Sequence, residues 1–140
     1  MFEVKLIQLA EQIGCEMIPE GENIRVMNID SLPSLLKVKI IEHKTQILKI
    51  LKRDNQVKKM GFIIGLPGQI YFRSINKKII LYMEGYNGIW ELWTETLHAN
   101  RKQATSTKVI YRSPEFEKVI IKAKKFCDFV QQKQNSRYLQ

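Results

Sequence analysis

Aromatic residues are nearly missing from the first 61 positions: Phe2 stands alone, and the next ring is Phe62. Long apolar runs are missing too, and the longest fall far short of the ~20 residues that a membrane-spanning helix needs. No membrane partner is therefore expected. The opening stretch MFEVKLIQLAEQ sets Glu3 and Glu11 among its apolar residues, unlike the basic start and apolar core of a secretory signal. Cysteine is scarce: Cys15 and Cys127 are far apart, without companions at metal-ligand spacing. That argues against a disulfide framework or a zinc site and fits a reducing, cytoplasmic setting.

Recognisable catalytic patterns are missing as well. GFIIGLPG has neither P-loop nor dinucleotide spacing, and no G-x-S-x-G occurs. His43 reads as helical and His98 as part of a polar loop, with no ligand set around either. Glu91 and Glu95 share a strand face, where a carboxylate pair could hold a nuclease metal; pairing with Lys or Arg across strands is the simpler use. The expectation is a protein without catalytic activity, metal or cofactor.

What is present is a sharp division of charge. The 140 residues carry a net charge of +9, but Lys5, Arg25, Lys37, Lys39, Lys44, Lys49, Lys52 and Arg53 balance eight acids up to Asp54. The remainder holds fifteen Lys and Arg against six acids, so the whole excess lies there. Segments so different in charge and aromatic content predict two units, residues 1–53 and 60–140, joined by a charged linker over 54–59.

In the first unit, Phe2, Leu6, Leu9, Ala10 and Ile13 recur at helical spacing and Gly14 follows as a C-cap. CEMIPEGENIRVM then gives two short extended runs around Pro19-Glu20-Gly21-Glu22, a hairpin signal. SLPSLL opens a helix that Asp30 or Ser31 can cap. Ile40, Ile47, Leu48 and Leu51 mark a further apolar stripe. A unit of ~50 residues gains stability from a partner. Strand edges at Ile24, Arg25 and Val26 offer unpaired backbone groups to an added strand, and Ile47 and Leu51 are candidates for self-association. The competing reading is a small three-helix core with no partner.

LIQLAEQIGCEMIPEGENIRV followed by SLLKVKIIEHKTQILKIL resembles the TubC-type N-terminal docking domain, through Leu6, Leu9, Gly14, Gly21, Ile24, Arg25, Leu35, Leu36, His43, Lys44, Ile47, Leu48 and Leu51. The resemblance covers about the first 53 residues. It implies an αββαα fold that forms homodimers and captures a short tail of a partner protein along its hairpin. That family opens subunits of peptide and polyketide synthases, and similar modules occur on replication proteins of mobile elements. No adenylation, condensation or carrier domain follows in this chain.

In the second unit, MGFIIGL, QIYFR, KKIILYME, GIWELWTE and KVIYR read as strands separated by turn signals. Ser113 then caps a helix with Pro114 at its first position and Phe116, Val119, Ile120, Ala123, Phe126, Cys127 and Val130 as its apolar face. The predicted fold class is α+β: an antiparallel sheet with a C-terminal helix on one face. Alternation places Ile70, Phe72, Ile79, Leu81, Met83, Trp90, Leu92, Val109 and Tyr111 toward that helix. Tyr71, Arg73, Ile80, Tyr82, Trp93, Lys108, Ile110 and Arg112 fall on the opposite face.

Rings among cations on an open sheet suit single-stranded nucleic acid, DNA first and RNA second, because bases stack on rings and Lys or Arg neutralises phosphate. Arg101 and Lys102, in a polar loop, could clamp a backbone. The topology is similar to Whirly-type single-strand binders, without a shared motif. Against this, Glu84, Glu91 and Glu95 fall on the same face, and its rings would equally serve a protein interface. Lys118, Lys122 and Lys125 form a second basic stripe along the helix, or simply its solvated side.

The combined expectation is a non-enzymatic accessory protein, homodimeric through its first unit. It would dock a partner protein there and bind nucleic acid with the second, in support of replication by a mobile element. The alternative is an adaptor in a multi-enzyme biosynthetic assembly.

Overall fold

The computed structural model describes residues 2–97 and 105–136. The chain is α+β: the described residues form four α-helices, a two-stranded sheet and a five-stranded antiparallel sheet with the C-terminal helix packed on it. Two compact units form, Met1–Lys58 with Leu66–Gly68, and Lys59–Gly65 with Gln69–Gln140. Among the described residues no helix is long and apolar enough to cross a membrane.

The first unit begins with α1 (Phe2–Gln12), which buries Val4, Leu6, Ile7 and Ala10. Gly14, at φ 90°, ends it, and the Cys15 amide donates to the Ala10 carbonyl at 2.8 Å. Strands β1 (Met17–Glu20) and β2 (Asn23–Val26) follow as a hairpin. Gly21, at φ 60°, occupies the first turn position, where a two-residue hairpin of type II′ needs glycine. A 3-10 turn (Ile29–Ser31) leads to α2 (Ser34–Glu42), whose start at Pro33 requires no N–H from the proline. Asp30 and Ser31 stay in that turn, and α2 has no side-chain cap. Helix α3 (Lys44–Lys59) completes a core of Leu6, Ile7, Ala10, Cys15, Met17, Leu32, Ile40, Ile47 and Leu51.

The expected linker over 54–59 is instead the last part of α3. Val57 is buried, and the nearly buried Asp54 carboxylate accepts the Gly68 amide at 2.8 Å. Arg53 donates to the Gly68 carbonyl at 3.2 Å. These charges hold the Leu66–Gly68 turn, so a stretch that reads as solvated is fixed by long-range bonds.

In the second unit, β3 (Ile63–Leu66), β4 (Ile70–Ser74), β5 (Ile79–Tyr86), β6 (Ile89–Leu97) and β7 (Thr105–Ser113) lie side by side in chain order. Helix α4 (Phe116–Ser136) packs on β6 and β7, and its start is capped by Ser113 Oγ, which accepts the Glu115 amide at 3.1 Å. The register sets Tyr71, Met83, Leu92 and Tyr111 in one row and Phe72, Tyr82, Trp93 and Val109 in the next.

The first row faces α4. Tyr71, Leu81, Met83, Trp90 and Leu92 are buried there, as are Phe116, Val119, Ile120 and Ala123 on the helix. The expected faces of β5 and β6 agree with this arrangement, but those of β4 are reversed. Tyr71 and Arg73 turn toward the helix, while Ile70 and Phe72 lie on the open face. In β7 a bulge opposite Leu92 and Trp93 leaves Ile110 as the extra residue. Val109 therefore joins the open face and Lys108 the helix side.

Candidate functional site

In the first unit the hairpin's two edges differ. Glu20 pairs with Asn23, Ile18 with Arg25, and the ladder continues where the Met27 amide donates to the Glu16 carbonyl at 2.9 Å. Antiparallel strands alternate between hydrogen-bonded and non-hydrogen-bonded pairs. The backbone groups of Ile24 and Val26 consequently point outward along β2, and those of Met17 and Pro19 outward along β1. Proline has no N–H to offer, so β1 presents a blunted edge and β2 an open one.

Beside β2 lies an apolar groove of about 350 Å³, lined by Ile24, Val26, Ile29, Leu32, Ile40 and Ile41. Lys37 and Lys44 also line it, and Lys44 Nζ donates to Asn23 Oδ1 at 3.1 Å. Helix α2 is apolar on both sides. Leu36 and Ile40 pack inward, while Leu35 and Ile41 are 74% and 71% exposed and Val38 is also exposed.

The docking residues expected from sequence divide between these places. Ile24 and Val26 line the groove, whereas Arg25 points to the other side of the hairpin and pairs with Glu20 at 3.7 Å. Ile47 and Leu51 are core, with Ile47 fully buried. Sequence reading missed Leu35, Val38 and Ile41, although a helix with apolar residues on every side was a usable signal.

In the second unit the open face carries Phe72, Tyr82 and Trp93 side by side. The Tyr82 and Trp93 rings stack at 4.1 Å, and Phe72 lies 6.0 Å from Tyr82. The Tyr82 hydroxyl donates to Glu95 at 3.1 Å. Its pKa is raised, first by burial and then by that carboxylate. The Trp93 indole N–H is buried without an acceptor among the described residues. Glu84 and Glu91 face each other across β5 and β6, and Arg112 pairs with Glu91.

The candidate nucleic-acid residues are thus dispersed. Tyr82, Trp93 and Arg112 share the open face. Tyr71 is completely buried, 6.0 Å from Trp90 and 6.3 Å from Phe116. Arg73 donates to the Met60 carbonyl at 2.8 Å and lines a recess with Cys127 of α4. Burial raises the Cys127 thiol, with Arg73 pulling the other way. Lys108 is exposed on β7, on the helix side. Arg101 and Lys102 lie outside the described residues. Phe72 was missed because Ile70, Tyr71 and Phe72 are all apolar and give β4 no readable phase.

The cations that remain together are on α4. Lys118, Lys122 and Lys125 are exposed, with Lys122 Nζ 5.3 Å from the centre of the Tyr111 ring. No family model, no curated protein and no solved structure matches the chain.

Proposed function

We propose that the chain is a non-enzymatic docking protein whose first unit takes up an extended segment of a partner protein along β2. The observation that carries this is the pairing of an open β2 edge with an apolar groove, while Pro19 blunts the opposite edge. Strand addition supplies main-chain hydrogen bonds, and the groove receives alternate side chains of the added segment. Lys37 and Lys44 favour acidic residues in it. The exposed row Leu35, Val38 and Ile41 is the surface for the homodimer that the docking resemblance implies.

Panning a display library of short peptides against the full chain tests this reading. The enriched peptides should alternate apolar residues and include acids. Val26→Pro removes an outward N–H that the hairpin does not use, so it should abolish their binding, whereas Val26→Ala should retain most of it. Equal binding by both variants would place the peptide elsewhere.

A second reading, nucleic-acid binding by the second unit, is favoured by the alignment of Lys118, Lys122 and Lys125 on α4. These cations lie on the side of the sheet opposite Glu84, Glu91 and Glu95. Single-stranded DNA contacted there would meet phosphate-neutralising lysines rather than a stacking platform. Each lost contact should lower the salt slope of binding by roughly 0.7, measurable by fluorescence anisotropy with Lys122→Ala and Lys125→Ala. An unchanged slope in both would remove this reading. Together the two activities would suit an accessory protein in mobile-element replication; docking alone would suit an adaptor in a biosynthetic assembly.

A further inference from the structure

The open sheet face of the second unit is acidic and aromatic in a chain of net charge +9. Beside the half-buried Phe72, Tyr82 and Trp93 it exposes Ile63, Ile89 and Val109. Glu84 and Glu91, directly opposed, line a recess of about 340 Å³ with Tyr86 and Ile89. Like charges so placed are unfavourable, and Arg112 pairs with Glu91. An added cation would relieve the pair.

The complementary surface is on the same chain. At about 100° per residue, Lys118, Ile121, Lys122, Lys125 and Phe129 fall within an arc of about 100° on α4. Ile121 and Phe129 are 53% and 61% exposed, large apolar side chains standing among lysines. They are eight residues apart, a rise of ~12 Å. The row from Phe72 to Val109 crosses three strand spacings, ~14 Å. Lengths, apolar character and charge signs all match.

We propose that the open sheet face docks α4 of a second copy of this chain. Ile121 and Phe129 lie along the Phe72–Val109 row, and the lysines approach Glu84 and Glu91. The two surfaces are different, so the contact is head-to-tail and a pair of copies keeps one free surface of each kind, the sheet face on one copy and α4 on the other. Repetition gives a chain or a ring of copies. The net positive charge opposes association at long range, so the contact is weak and visible at high protein concentration. It rests on neither activity proposed above; nucleic acid on the same lysines would compete with it.

The test is sedimentation of the full chain freed of nucleic acid, using Glu84→Lys as the sheet-face variant and Lys122→Glu/Lys125→Glu as the helix-face variant. All the substituted side chains lie outside the buried core, and circular dichroism checks the fold. The parent should show mass rising with concentration, and each variant alone should associate about tenfold more weakly. Mixing the two should restore association, because one retains the helix surface and the other the sheet surface. Ile121→Ser/Phe129→Ser should weaken association without any change of charge. A homodimer through α2 would remain as a constant floor in every variant, removed separately by Leu35→Ser/Ile41→Ser. A parent that stays at that floor, variants that associate like the parent, or a mixture that stays apart would each overturn the proposal.

Discussion

The rings of Tyr82 and Trp93 stack on each other, with centroids 4.1 Å apart and planes 8° from parallel. Each ring thus spends one face on its neighbour within the sheet. Such pairs contribute ~0.5–1.5 kcal/mol beyond the area they bury. A double-mutant cycle of Tyr82→Leu and Trp93→Leu, measured by urea unfolding, should give a coupling energy of about 1 kcal/mol. Oligonucleotide binding should not change in either variant. Coupling near zero together with lost binding would restore the stacking platform.

The Tyr82 phenol should titrate above the ordinary tyrosine range, because burial and the Glu95 carboxylate both disfavour phenolate. A folded-state pKa raised above the unfolded one contributes stability that is complete below the unfolded pKa and lost as pH rises through the folded value. The loss therefore falls on the alkaline side, above about pH 10. Phenolate absorbance should show a late component that Tyr82→Phe removes. Glu95→Gln should move it down only partly, since burial is the larger cause.

Tyr71→Ala should destabilise the second unit by ~3–5 kcal/mol, the cost of emptying a large buried aromatic site. The measurement is chemical denaturation with a probe of that unit, such as tryptophan fluorescence. A stable variant with impaired nucleic-acid binding would mean that Tyr71 is a surface ring after all.

Ile47→Asp places a charge in the core of the first unit and should unfold it, as seen by lost helical ellipticity and rapid proteolysis. Leu35→Ser and Ile41→Ser change exposed positions and should shift stability by no more than about 0.5 kcal/mol. Their effect should appear in sedimentation, as loss of the dimer.

Much of this architecture was readable before folding. Gly14, Gly21 and Ser113 punctuate the chain where the sequence says they should, because caps and tight turns depend on local chemistry. The phase of β4 was not readable, since IYF is apolar at successive positions and only pairing with β5 decides which ring is buried. The bulge at Ile110 lacks a local marker and reverses two side chains. Helix α3 continues past residue 53 because Asp54 meets Gly68, a contact between distant positions. For the candidate surfaces, the edge strand was legible from the hairpin signal. The groove beside it was not, because it forms only when α2 folds back toward β2.

Amide hydrogen exchange at Ile24 and Val26 tests the docking account most directly. In the free protein both amides should exchange faster than that of Arg25, which the hairpin pairs with Ile18. With a selected acidic-apolar peptide bound, both should become strongly protected while Arg25 changes little. Protection already present in the free protein, or none gained with the peptide bound, would contradict strand addition at β2.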